Sequence, residues 1–218
     1  GQGFMVRVDS GIKSSLELAG ATVCVATGTT TELNLADYSR ANNLDIEPVT
    51  FEDKNVRNET FYKGGCDAVT NDKSGLASTK AEFPDPENFM ILPETISKEP
   101  LGPVVRQGDS NWNDIVMWSV FALVAAEELG LNSGNVESVR SSTTNAEVKR
   151  MLGVEGNLHE GLGLSKDWAY DIVSQVGNYA EVYEAYMGGG ERGIGITRAG
   201  SQNALWNQGG LMYSPPFR

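Results

Sequence analysis

The sequence predicts an α/β chain in which a mainly parallel, doubly wound sheet comes first and a helical portion follows. Three observations carry that prediction. The first 105 residues alternate short apolar runs with helical patterns, which is the rhythm of βαβ units. One of these runs, Thr22-Val23-Cys24-Val25-Ala26, is β-branched and uncharged, as a strand covered on both faces should be. Beyond residue 110 the alternation stops and helical patterns take over.

Taken in order, Phe4-Met5-Val6 with Val8 opens as a short strand. Residues 14–19 read as a short helix ended by Gly20, which suits the left-handed position after a helix. The strand at 22–26 passes at once into a helix that starts at Thr29 or Thr30, runs to about Arg40 and stops at Asn42-Asn43. A strand at 46–51, a weaker helix at 56–63, a strand at 67–70, a short helix from Ser74 and a strand at 89–92 complete the first part. In the second part, residues 111–129 form a long helix that is apolar on nearly every face and is expected to be buried all round. Helices are expected at 145–152 and 166–186, the latter ended by Gly188-Gly189-Gly190. The end, 203–218, is rich in glycine and aromatic residues. Trp112, Trp118, Trp168 and Trp206 are read most simply as core.

Composition excludes several classes. With 29 acidic and 17 basic side chains the formal net charge is −12. That opposes a sequence-independent grip on nucleic acid, which needs clustered cations to displace counterions. It equally opposes docking on an anionic lipid surface. The longest apolar run, 115–126, is broken only by Ser119 and falls short of the roughly 20 residues that span a bilayer. The chain opens without a basic segment and a small-residue cleavage site, as though inside a folded domain, so a mature or truncated chain is expected.

No catalytic or metal constellation stands out. Cys24 and Cys66 match no zinc spacing, and the single histidine, His159, lies far off in a glycine-rich stretch, where a solvated loop is expected. Neither cysteine has a histidine neighbour to make it a nucleophile. Two buried thiols and a structural disulfide are both open at this point. Gly193-Ile194-Gly195 is too short and badly placed for a dinucleotide fingerprint. No cofactor is expected.

The informative motif is Thr27-Gly28-Thr29-Thr30-Thr31-Glu32, between a buried strand and a helix. Thr29 and Glu32 have capping-box spacing, in which hydroxyl and carboxylate each satisfy an orphan amide. The remaining amides of the turn, at the positive end of the helix dipole, make an anion site. Gly28 lets the backbone approach a ligand closely. Several hydroxyls and amides converging on one point suit a carboxylate. The competing reading is a well-capped helix and nothing more. A phosphate is a third reading, against which stand the missing GxxxxGK[ST] pattern and the lack of a lysine beside the turn.

Parallel α/β sheets place ligands at the carboxyl ends of their strands, which points to 27–31 and to Asn71-Asp72. Asp72 ends the strand at 67–70 and should share a sheet edge with Thr29. A carboxylate there would complete a zwitterion clamp, one end for a carboxylate and the other for an ammonium. The competing role for Asp72 is to cap the helix that starts near Ser74.

These residues resemble a known family. The run from Thr27 through Glu32-Leu33-Asn34-Leu35-Ala36-Asp37-Tyr38 resembles the substrate-binding proteins of bacterial general L-amino-acid ABC importers. So do Gly65-Cys66-Asp67, Thr70-Asn71-Asp72, and Ile96-Ser97-Lys98-Glu99-Pro100-Leu101-Gly102-Pro103. Trp112-Asn113-Asp114-Ile115-Val116, Asp167-Trp168-Ala169, Val176-Gly177-Asn178-Tyr179, Asn203-Ala204-Leu205-Trp206-Asn207 and Gly209-Gly210-Leu211-Met212-Tyr213 continue it to the end of the chain.

The resemblance implies a periplasmic binding protein: a two-lobed trap, not an enzyme, that closes on a free L-amino acid and hands it to an ABC-transporter permease. It implies that Thr29, Thr30 and Thr31 hold the ligand α-carboxylate, with Gly28 in the same turn, and that Asp72 holds the α-ammonium. Members of the family begin with a segment forming most of the first lobe, which this chain lacks. Residues 1–104 would then be the second lobe with its hinge strands and clamp. Residues 105–218 would be the helical returning part of the first lobe plus the family extension. The implied periplasm is oxidising, and the two cysteines flank strands that should be neighbours, so a Cys24–Cys66 disulfide is expected.

Two rivals remain. One is a trap-derived lyase or dehydratase using Asp72 as its acid or base. The other is a ligand-free, lobe-only module that engages the permease. Because the family covers the apolar helix at 115–126 with first-lobe elements, the chain is expected either to form a homo-oligomer or to hold a separate N-terminal fragment. The alternative is that Trp168, Trp206 and Tyr213 fold back to cover it.

Overall fold

Five strands of the first half gather into one open sheet in the computed structural model, which describes all of residues 1–218. They are β1 (Gln2–Arg7), β2 (Thr22–Ala26), β3 (Glu47–Phe51), β4 (Ala68–Asp72) and β5 (Phe89–Ile91), in the order β3-β2-β4-β1-β5. β2 runs parallel to both β3 and β4, whereas β1 is antiparallel to β4 and to β5. β1 alone therefore opposes the other four, and because it sits between β4 and β5 it makes two of the four ladders antiparallel.

Three helices cover the sheet: α1 (Thr30–Asn42), α2 (Lys54–Tyr62) and α3 (Lys73–Glu82). The period of two along each strand divides the side chains between the faces. Phe4, Val6, Val23, Val25 and Ala68 pack with Leu35 of α1 on one face. Met5, Cys24 and Val69 pack with Phe61 of α2 and Leu76 of α3 on the other. The sheet is doubly wound, as the alternation requires.

Local chemistry sets the ends. Asn43 adopts the left-handed conformation after α1, which asparagine tolerates better than most residues. Asp53 accepts the amides of Asn55 and Val56, so α2 begins at Lys54, two residues before the first apolar position. The helix expected at 14–19 is a single 3-10 turn, Ser15–Glu17. Cys24 and Cys66 form a disulfide with Cα atoms 5.8 Å apart, inside the α2/α3 face of the core. Neither is a free thiol.

The chain divides into two units, Gly1–Leu101 and Gly102–Arg218. The second is helical: α4 (Ser110–Glu128), α5 (Val136–Ser142), α6 (Ala146–Met151), α7 (Trp168–Val176) and α8 (Tyr179–Tyr186). Its core gathers Ala122, Ala125 and Ala126 of α4 with Met151, Leu152, Trp168, Val173 and Phe217. Arg198, paired with Glu127 at 2.7 Å and lying over the Tyr179 ring, fastens the segment that follows α8.

Three expectations are corrected here. α4 is not buried all round: its fully buried residues are Ala122, Val124, Ala125 and Ala126, while Trp112 is 52% and Met117 40% exposed. Ile115 and Trp118 are only partly buried against the same core, and Trp112 and Met117 face away from it. The tryptophans are accordingly not all core, since Trp206 is also exposed and only Trp168 is buried. The helix expected at 166–186 breaks into α7 and α8 at Gly177, where φ is +85°. Asn178 and Glu181 then form a complete capping box that restarts it. No helix is long and apolar enough to cross a membrane.

Candidate ligand-binding site

The Thr27–Glu32 turn is held from three sides. Thr27 donates its amide to the Phe51 carbonyl at 2.9 Å, continuing the β2–β3 ladder. Gly28 has φ +68°, a left-handed conformation that favours glycine, with open space where a Cβ would stand. Thr29 caps α1: its Oγ1 accepts from the Glu32 amide at 3.3 Å and donates to the Ala26 carbonyl at 2.8 Å.

The other half of the expected capping box is displaced. Glu32 Oε2 accepts from the amide of Gly28, at 2.7 Å, instead of that of Thr29. The Gly28 amide is therefore occupied, and the amides of Thr29, Thr30 and Thr31 are left without an acceptor in the chain. Three free donors at a helix start, with the positive end of its dipole behind them, attract an anion.

Asp72 ends β4. The parallel register Val23↔Ala68 and Cys24↔Val69 puts the carboxyl ends of β2 and β4 side by side. Alternation from Ala68 through Thr70 then places Asp72 on the face covered by α1. Asp72 and the Thr29–Thr31 turn thus share both an edge and a face of the sheet. Asp72 also precedes α3, yet its side chain makes no capping bond and belongs to no ion pair or hydrogen bond. The competing role as a helix cap is not played. The neighbouring Lys73 is committed elsewhere: Nζ donates to the Pro93 carbonyl at 2.7 Å, and burial lowers its pKa more than Glu94 raises it.

One polar residue at this edge escaped the sequence reading. Gln2 of β1 is fully buried, and its Nε2 donates to the Thr31 carbonyl at 3.0 Å and to Thr70 Oγ1 at 2.9 Å. Thr70 Oγ1 donates on to the Gly3 carbonyl at 2.8 Å. The only advance signal was an amide side chain opening an otherwise apolar strand. His159 lies in the 3-10 segment Leu158–Leu162 of the helical unit. No group of His, Cys, Asp and Glu side chains is placed to hold a metal ion.

Free amides at a helix start and an uncommitted aspartate beside them, at the strand ends of an open α/β sheet, form a candidate site for a solute that carries both charges. Known proteins resemble the chain. The chain is 53% identical over 218 residues to the glutamate/glutamine/aspartate/asparagine-binding protein BztA of Rhodobacter capsulatus, covering all of this chain and 64% of that protein. It is 50% identical over 220 residues to the general L-amino acid-binding periplasmic protein AapJ of Rhizobium johnstonii, covering 63% of it. Among solved structures, an ABC transporter/periplasmic binding protein from Brucella ovis with glutathione bound superposes with a TM-score of 0.91 at 46% identity, over all of this chain and 68% of that one. No protein-family model matches. The chain belongs to the periplasmic binding proteins of ABC transporters, and it spans about 64% of the length of these curated relatives.

Proposed function

We propose that this chain is the solute-binding component of a periplasmic importer and captures free L-amino acids for an ABC-transporter permease. The observation that carries the proposal is the pairing of unbonded Thr29, Thr30 and Thr31 amides with an uncapped Asp72 on one face and edge of the sheet. The turn takes the α-carboxylate and Asp72 takes the α-ammonium. Two opposite charges on neighbouring atoms of one ligand match two opposite subsites. Residues 1–104 act as the second lobe, and residues 105–218 contribute the helical part of the first lobe with its extension. The binding specificities in the names of BztA and AapJ support amino acids as the ligand class, and nothing favours a lyase or a ligand-free module.

The glutathione in the Brucella ovis protein fits the same chemistry. The γ-glutamyl end of that tripeptide carries a free α-carboxylate and α-ammonium, so a clamp that reads those two groups accepts either ligand. A thermal-shift panel of the standard amino acids plus glutathione tests the proposal. A ligand present at a hundredfold its Kd should add about 2.7 kcal/mol of stability. Asp72→Asn should weaken binding by roughly 2–5 kcal/mol, the usual cost of removing one partner of a buried charge pair. If no compound in the panel stabilises the chain, capture by these residues is wrong and the lobe-only module takes its place.

A further inference from the structure

We propose that Gln2 is a positioning residue that fixes the distance between the two halves of the clamp. This rests on the amino-acid-binding reading above and deepens it. Gln2 stands directly opposite Asp72 in the β1–β4 register. It lies on the α1 face, two residues before Phe4. Its one amide nitrogen reaches both halves, donating to the Thr31 carbonyl in the carboxylate-binding turn and to Thr70 Oγ1 on the strand that ends in Asp72. Thr70 closes the chain of bonds by donating to Gly3 of β1.

The orientation of the amide is dictated by its partners. A backbone carbonyl such as that of Thr31 can only accept, so the group facing it must be the NH2. Gln2 Oε1 is thereby turned into the protein, where it is buried and has no donor. A buried acceptor without a partner opposes folding. An apolar side chain at the head of this strand would carry no such cost, so the amide is not there to stabilise the core. What it supplies is a tether between α1 and β4 that no apolar residue could make.

A ligand with both charges on one carbon depends on the span between the Thr29–Thr31 amides and Asp72. A ligand with carboxylates and no amine does not. The two probes are therefore L-glutamate and glutarate, each titrated calorimetrically into the parent chain, Gln2→Met and Thr70→Val. Both substitutions keep side-chain volume, and the second keeps the β-branched shape a strand prefers. The expected result is a fall of about tenfold in the ratio of L-glutamate to glutarate affinity in both variants, the worth of one hydrogen bond in a charged network. Equal losses for the two probes, or none, would overturn the tether.

A ligand-free arm separates failure of the tether from failure of the clamp. In 15N spectra, the amides of Thr30, Thr31 and Asp72 should move together in both variants while those of α5–α8 stay in place. If the parent binds neither probe, the amino-acid-binding reading fails and this arm alone decides. Unmoved Thr30, Thr31 and Asp72 signals would then overturn the tether, and joint movement would sustain it.

Discussion

The two units bury their apolar residues by different means. In the first, the sheet supplies a fixed plane, α1 covers one side and α2 with α3 the other, and Phe4, Met5, Val6, Val23, Val25 and Val69 are all fully buried. In the second there is no sheet. Its core forms around Ala122, Ala125 and Ala126 of α4, with Ile115 and Trp118 partly buried against it, while Trp112 and Met117 of the same helix stay exposed. A sheet edge with both faces closed can hold a few polar groups in register, and the candidate clamp lies there. The helical unit leaves one side of its longest helix uncovered at Trp112 and Met117.

The largest expected effect sharpens that contrast within α4 and its partners. Trp168 packs in the closed core with its ring 6.1 Å from that of Phe217. Trp168→Ala should cost about 3–5 kcal/mol, as deletion of a buried aromatic does. Trp112→Ala, at an exposed position of α4, should stay within about 0.5 kcal/mol. Urea titrations followed by far-UV circular dichroism measure both, and similar costs would mean that Trp112 is packed after all.

Next in size is the disulfide, a feature of the sheet unit alone. Replacing Cys24 and Cys66 together by alanine should destabilise that unit by about 2–4 kcal/mol, because the cross-link restrains a 42-residue loop in the unfolded chain. Amide exchange should quicken in β2 and β4 and not in α7. Loss of protection in both units alike would show that they unfold as one.

The smallest effect is on pH. Thr22 bonds Asp67 through its hydroxyl at 2.7 Å and its amide at 2.8 Å, and these two bonds, the hydroxyl's first, hold the Asp67 carboxyl below the ordinary range. In the helical unit burial pushes Glu181 up, but hydrogen bonds from Ser133 and Asn178 outweigh it and the net direction is down. A carboxylate with a lowered folded pKa contributes stability above its unfolded value and loses it as pH falls through the folded one. The urea midpoint should therefore hold from pH 7 to about pH 5 and fall below about pH 4. Asp67→Asn should flatten the fall for the sheet unit, and Glu181→Gln for the helical one. A midpoint that fell equally steeply in both variants would remove these carboxylates from the account.

Local signals were readable in the sequence. β2 falls on 22–26, and the cap at Thr29 and the asparagine stop at 43 bracket α1. What depended on distant neighbours was not. Glu32 reaches past Thr29 to Gly28 because the turn bends there, which spacing alone does not reveal. The apolar periodicity of 166–186 runs on through Gly177, and only the backbone angle shows that it breaks. The exposed Trp112 and Met117 of α4 look as apolar as its buried residues, since exposure is set by what packs against a helix and not by its own pattern. Gln2 acts on partners 29 and 68 residues away, so nothing beside it in the chain marked it out.

The central claim is that one edge of the sheet unit reads the two charges of an amino acid. The most direct measurement is a titration of the 15N-labelled chain with L-glutamate, followed residue by residue. The account predicts saturable shifts of the Thr29, Thr30, Thr31 and Asp72 amides, abolished in Asp72→Asn. Shifts confined to the helical unit, or an Asp72→Asn variant that titrates like the parent, would contradict it.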